Sequence, residues 1–563
     1  MEAIRLRSIA IGFVIFLLSV VISAVVLNFQ ADPFIAYTMV MAKLISELGS
    51  SGQASQYLST LRYFGWQGMT YDVLQGMYGA GMLLAILHLI SGSSISQLTY
   101  LPVPGMLSMC MVYLILRRLS KVLDRTLKSA NLVFRLVAIA SMYSYMLQYE
   151  MGRSYAFDFH GINNALYLMC LYFIIGLICE PKSSYFLAFI MAFTASNIIH
   201  YNVPVVVIGD LAAYLVFSWL VLRVTKMPRL IMLLVIISSL QSFYFTILSG
   251  VNVQQVLSDL IQYFSGGFLE FAPAQGVAWP FPYQYQQILF AKAYTYSAII
   301  FVIVISLALF RTRGGRKLTP IDTAYSIVVG GGVIYFVAYF ANYGHGAFGF
   351  VDGWLLQPLL FAPIAMIWAG QKLETTTQDK RSTAFEGSDG QGLGNRRQVV
   401  RKLALATLLV LALLLAGSTT LAANGNLFYG PAVSDPGMES ASLQSFAIRN
   451  LSGGHFLIGA SIEVSSSLFG HLTDYSKDKV FTVIPVPMMG YSTLANNTLG
   501  TYTRLRHDFD YLILTKYELT NGLNGNVLPD YINATEVNNL KAVLDSNQNL
   551  VCNSGQAYLY LLD

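Results

Sequence analysis

Low charge, recurrent apolar runs and a late change of character predict the fold class. The chain reads as an α-helical polytopic membrane domain with about 11 net crossings, followed by a small C-terminal extracytoplasmic α/β domain. Of its 563 residues 55% are hydrophobic and 11% charged, whereas soluble domains carry about 25% charged residues. Apolar runs of roughly 17–25 residues, the length of a helical bilayer crossing, recur to residue 422. Beyond that point short strand-like runs alternate with turn-rich segments.

The candidate spans are 8–28, 77–94, 99–116, 131–149, 161–179, 183–200, 203–222, 228–249, 289–310, 321–341, 353–370 and 403–422. The first run is longer than a typical signal-peptide core and shows no small-residue cleavage site, so it reads as a retained anchor. Basic residues near span ends mark the cytoplasmic side. They concentrate at Arg5 and Arg7, in "RRLSKVLDRTLK" (117–128), "RVTKMPR" (223–229) and "RTRGGRK" (311–317), and in the 371–402 loop. That loop is polar and rich in Gly, Ser and Thr, the composition of a flexible linker.

These anchors place the N-terminus inside, and the 29–76 loop, the 149–161, 200–203, 250–288 and 342–352 turns, and all residues after 422 outside. Two full crossings at 77–94 and 99–116 would put Arg117 outside as well. The six charges of 117–128 outweigh that hydropathy signal. The 77–116 region therefore makes one net crossing, with one of its helices dipping in and returning.

Residues 1–422 thus form a multi-pass domain with exterior loop 29–76 and cytoplasmic linker 371–402, and 423–563 an exterior domain. Strands are expected at "HFLIGA" (455–460), "KVFTVIP" (479–485), "YLILTK" (511–516) and "QAYLYLL" (556–562), with a helix in "ATEVNNLKAVLDS". "RLRHDFD" (504–510) reads as a solvated loop. The three N-x-S/T sequons, at Asn450, Asn496 and Asn533, all lie in this segment, as exterior placement requires. The cysteines Cys110, Cys170, Cys179 and Cys552 make neither a disulfide framework nor a zinc spacing.

Once sidedness is set, the chemistry-bearing residues sort to the exterior. The first loop carries Asp32, Arg62, Trp66 and Asp72; the second turn Arg153, Tyr155, Asp158 and His160; the third His200, Tyr201 and Asn202; the turn before the penultimate span Tyr343, His345 and Asp352. A carboxylate can take a proton from an acceptor hydroxyl, and an arginine can neutralise a leaving phosphate. Asp32, Asp158 and His160 have the donor atoms to hold a divalent metal. Asp210 is separate: it lies seven residues into the 203–222 span, about 10 Å deep. An intramembrane carboxylate either serves function or needs a Ser or Tyr partner. The "WPFPYQY" segment fits an interfacial aromatic belt.

The layout resembles the GT-C superfamily of integral-membrane glycosyltransferases, in particular the mannosyltransferase and aminoarabinose-transferase branch and its archaeal relatives. "NFQADPF" supplies an acidic residue, Asp32, soon after the first span. "YDVLQGMYGAGMLLAILHLISGSS", "YLILRRLSK" and "GRSYAFDFHGINNAL" match the following landmarks. "DYLILTKYELTNGL" and "NLVCNSGQAYLYLL" look like the last strands of such a family's exterior domain.

The resemblance implies inverting transfer of a sugar from a polyprenyl-phosphate carrier to an exterior protein, lipid or glycan acceptor. It assigns the role of base, or of metal or phosphate ligand, to Asp32 and secondarily to Asp72. Arg62, Arg153, Tyr155, Asp158, His160, His200, Tyr343 and His345 would bind substrate. The family's paired acidic motif is absent, because Asp32 is followed by Pro33.

Two other classes remain open: a transporter or flippase for lipid-linked saccharides, and a non-catalytic membrane scaffold of the same fold. Transporters tend to carry internal repeats and midplane polar groups; here no repeat stands out, and the polar groups other than Asp210 sit at one face. Basic tails, Gly-rich phosphate loops and nucleophile elbows are missing, which argues against nucleic-acid partners and soluble nucleotide chemistry.

Overall fold

The computed structural model describes residues 33–49, 78–99, 101, 103–120, 157, 159–180, 182–199, 204, 207–212, 215 and 229–248. Toward the C-terminus it describes 443, 446, 450, 454–460, 479–485, 498–521, 523–524, 531–532, 534–547 and 549–562. The expected spans 8–28, 131–149, 289–310, 321–341, 353–370 and 403–422, and most of 203–222, lie outside these residues.

The helical part contains α1 (Pro33–Leu48), α2 (Tyr78–Ser91), α3 (Ile95–Thr99), α4 (Val103–Ser120), α5 (Phe159–Cys179), α6 (Ser183–Ile199) and α7 (Arg229–Leu248). Among the described residues two stretches, Gln97–Ile115 and Gly161–Cys179, are long and apolar enough to cross a membrane. Pro33 opens α1, where its fixed φ suits the helix and its missing N–H costs nothing. α2 stops at Gly92, whose φ of 66° ends the helix while its N–H bonds the His88 carbonyl. α3 then starts with a reciprocal capping box: the Gln97 N–H donates to Ser94 Oγ (3.2 Å) and the Ser94 N–H to Gln97 Oε1 (3.3 Å).

Contacts fix the relative direction of these helices. Arg118, near the end of α4, donates to the Tyr185 hydroxyl (3.3 Å) and lies 3.6 Å from Glu180, so the end of α4 meets the α5–α6 turn. Its guanidinium also lies over the rings of Tyr172 and Tyr185, at 5.4 and 4.8 Å. α4 and α5 therefore run side by side in the same direction, with α6 returning. α7 meets α6 in its C-terminal half, where Gln241 hydrogen-bonds Thr194 and Ser242 hydrogen-bonds Asn197. The bundle thus has a Glu180 end and an Ile199 end. α1 packs along α2, where a Cβ on Gly81 would fall 2.7 Å from the Met41 Cβ.

The C-terminal part contains β1 (Gly454–Ala460), β2 (Lys479–Pro485), α8 (Thr498–Asp508), β3 (Tyr511–Thr515), α9 (Lys516–Asn521), β4 (Leu523–Asn524), β5 (Tyr531–Ile532), α10 (Ala534–Asn547), β6 (Asn549–Asn553) and β7 (Ala557–Leu561). The four runs read as strands from the sequence are β1, β2, β3 and β7. Five strands form one sheet in the order β2-β1-β3-β7-β6. β2, β1 and β3 are parallel; β7 pairs antiparallel to β3, and β6 to β7.

β3, "YLILT", is buried throughout because both faces of the sheet are covered. Leu512 and Leu514 join Tyr502, Leu505, Val537, Leu540 and Leu544 from α8 and α10. Tyr511 and Ile513 face Leu443, Ile458 and Leu559 on the other side. The segment read as a solvated loop, 504–510, is instead mostly the end of helix α8. Tyr502, Leu505 and Phe509 are spaced so that one helical face can bury them, and that burial outweighs the charges of Arg504, Arg506, His507 and Asp508.

Candidate functional site

Of the predicted site residues, Asp32, Arg62, Asp72, Arg153, Tyr155, Asp158, His200, Tyr343 and His345 lie outside the described residues. What the structure supplies is the arrangement of the elements that adjoin several of them. α1 begins one residue after Asp32. α5 begins one residue after Asp158, with His160 in its first turn. α6 ends one residue before His200.

These three elements are tied together. α2, packed on α1, approaches the end of α6 so closely that a Cβ on Gly79 would fall 2.5 Å from the Ile198 carbonyl oxygen. The buried Phe157 donates its backbone N–H to the Thr99 carbonyl (2.8 Å), fastening the chain just before α5 to the end of α3. α1 also touches α5. Among the described residues no group of three or more His, Cys, Asp or Glu could hold a metal ion.

A layer of polar side chains joins the helices near their Ile199 end. The Ser196 hydroxyl donates to Asn163 Oδ1 (3.3 Å), the Ser242 hydroxyl to Asn197 Oδ1 (3.0 Å), and the Gln241 amide to the Thr194 hydroxyl. Slightly deeper, Asp210 is 4% exposed and accepts a hydrogen bond from the Tyr167 hydroxyl at 2.6 Å. Tyr167 is 1% exposed, so the pair is shut in between α5 and the helical stretch 207–212. A buried carboxylate needs such a donor whatever else it does, since losing a buried partner costs more than the bond itself contributes.

Sequence reading singled out Asp210 but not Tyr167, Asn163, Ser196 or Gln241. Their signal is the polar residue inside an apolar run: in hydrocarbon such groups bond across helices, because no water can satisfy them. Asn450, one of the sequon residues, is exposed, and its side-chain amide donates to the Phe446 carbonyl (3.0 Å).

No protein-family model matches the chain, and no curated protein matches it. Solved structures similar to it include two of one protein. ArnT from Cupriavidus metallidurans bound to undecaprenyl phosphate shares 11% identity at a TM-score of 0.45, covering 100% of this chain and 98% of ArnT. The same protein in the apo state shares 13% identity at a TM-score of 0.40, with 98% of each chain covered. With both TM-scores below 0.5, neither likeness decides a function.

Proposed function

We propose that the chain is a polytopic membrane glycosyltransferase of GT-C layout, moving a sugar from a polyprenyl-phosphate carrier to an acceptor at the extracytoplasmic face. The observation that carries this reading is the juxtaposition at the Ile199 end. The elements adjoining Asp32, Asp158, His160 and His200 are packed together there, on sequence segments otherwise built from apolar spans. Exposed apolar stripes, Leu187, Met191 and Ile198 on α6 and Met232, Ile236, Leu240 and Phe243 on α7, support a lipid surround.

In this mechanism the acceptor hydroxyl attacks the anomeric carbon. The bond from that carbon to the phosphate oxygen breaks, and the polyprenyl phosphate leaves with the electron pair. Asp32 takes the hydroxyl proton, with Asp72 the second candidate, and Arg153 stabilises the departing phosphate through a charge-assisted contact. Asp32, Asp158 and His160 are the residues that would hold a divalent metal, which would supply further charge to the phosphate. The acceptor is a protein, lipid or glycan hydroxyl on the outer side.

The test uses the full-length protein in nanodiscs with radiolabelled polyprenyl-phosphate mannose and the membrane fraction of the source cells as acceptor. The expected result is label transferred from the carrier, with Asp32→Asn slowing transfer by roughly 10²–10⁴-fold while the thermal unfolding profile is unchanged. Carrier that crosses proteoliposome membranes with its sugar bond intact would replace the transferase with a flippase. Transfer unaffected by Asp32→Asn and Asp72→Asn would remove the assigned base.

A further inference from the structure

α2 carries a surface that none of the foregoing chemistry uses. Its exposed side chains, Met82, Leu83, Ile86, Leu89 and Ile90, recur at the helical period and form one continuous apolar stripe. The opposite face, Ala80, Gly81, Leu84 and Ala85, is buried toward α1. A stripe like this is expected on any crossing helix, so the direction of α2 decides what it means.

Both ends of the α2–α3 segment are pinned to the same end of the bundle. At its start Gly79 lies against the carbonyl of Ile198 and the Cα of Ile199. At its finish the Thr99 carbonyl holds the N–H of Phe157, two residues before α5 begins. The opposite end of the bundle is reached only afterwards, by α4, where Arg118 meets Glu180 and Tyr185. A helix of 14 residues is about 21 Å long, short of the ~30 Å hydrocarbon core. No Asp, Glu, Lys or Arg occurs between Asp72 and Arg117, so nothing in the segment demands water.

We infer that α2 does not cross the membrane but is embedded in the single leaflet at the Ile199 end, with the Met82–Ile90 stripe seated in the acyl chains of that leaflet. The occupant is lipid because the stripe is charge-free, flanks the ends of helices whose own exposed faces are apolar, and belongs to a segment that starts and finishes at one membrane surface. α4 is then the one crossing of 77–116, which returns Arg117 to the side its charge requires. The inference needs the helices to span a bilayer and does not need the chain to transfer sugar.

Single cysteines introduced into an otherwise cysteine-free full-length protein test it in sealed vesicles. Ser94→Cys, in the α2–α3 turn, and Lys182→Cys, in the α5–α6 turn, are both exposed sites. A membrane-impermeant maleimide should label them from opposite sides; labelling from the same side would mean that α2 crosses, and would overturn the inference. Spin labels at Ile86→Cys and Leu89→Cys in nanodiscs read the occupant. Strong relaxation by oxygen with little by a water-soluble nickel chelate is the expected result. Strong relaxation by the chelate would show a water-facing stripe, and protection from both reagents would show a protein partner; either contradicts a lipid occupant.

Discussion

The exposed side chains of α7 are mostly apolar, Met232, Leu233, Ile236, Leu240, Phe243 and Tyr244 against Arg229 and Ser239, whereas those of α10 are mostly polar, Thr535, Asn538, Asn539, Asp545, Ser546 and Asn547 against Ala542. The inward faces differ as well. α7 buries Ser238 beside Ile231 and Leu234 and hydrogen-bonds α6 through Gln241 and Ser242, and α10 buries only Val537, Leu540 and Leu544. The two helices are built for different solvents. Around α10 water takes the polar groups, and the apolar face drives packing. Around α7 the surround is as apolar as the side chains, so cross-helix hydrogen bonds and close fit hold the bundle.

Substituting an outward residue on each helix should break the symmetry of this comparison most sharply. Leu240→Arg should cost about 2.5–3.5 kcal/mol of membrane insertion, read as a drop in the inserted fraction in a glycosylation-reporter assay. Asn539→Arg should stay within about 0.5 kcal/mol and leave insertion and expression unchanged. Equal effects at the two sites would contradict the assignment of different solvents.

The next effect belongs to the buried pair. Tyr167→Phe keeps the ring but removes the donor to Asp210, leaving a buried carboxylate short of a partner. The expected loss is roughly 1–3 kcal/mol, measured as a lower unfolding temperature in detergent. Asp210→Asn in the same background should recover part of it, and no recovery would mean that the pair does not account for the loss.

The smallest effect lies in the C-terminal part. Asp545 accepts from the Tyr560 hydroxyl and from Lys541 Nζ, each at 2.6 Å. Burial pushes its carboxyl up, but the hydrogen bonds from Lys541 and Tyr560 prevail and hold it below its ordinary value. A carboxylate depressed in the folded state contributes stability above its unfolded pKa, about 3.9, and loses that contribution as pH falls through the folded value. Hydrogen exchange in α10 and β7 should therefore quicken as pH drops below about 4 beyond the intrinsic rate, and Tyr560→Phe should weaken that dependence. The side chain is 45% exposed, so screening keeps the effect small.

Legibility in the sequence follows the same division. Apolar runs locate α5, α6 and α7 to within two residues and α4 to within four, because a crossing helix is written as length and composition. β1, β2, β3 and β7 are equally visible as short β-branched and aromatic runs between turns. α8 was hidden by its charges, although Tyr502, Leu505 and Phe509 carried the helical period. Charge parity required one net crossing for 77–116 but could not say which helix stays in one leaflet. That answer depends on Gly79 against Ile198 and Thr99 against Phe157, contacts between residues far apart in the chain.

The candidate site is the least legible part. Its residues sit at the ends of elements and in loops, where no periodicity operates, and they are read by chemistry alone. Tyr167 and Asp210 stand 43 residues apart and follow no shared pattern.

The most direct test of the transferase reading is a cryo-electron microscopy map of the full-length protein in nanodiscs supplied with a polyprenyl phosphate. The expected map has Asp32, Asp158 and His160 lining one cavity at the Ile199 end, with the lipid phosphate beside them and its chain leaving sideways into the bilayer. A map in which Asp32 points into open water, away from Asp158 and His160, would contradict it and leave the transfer without its base.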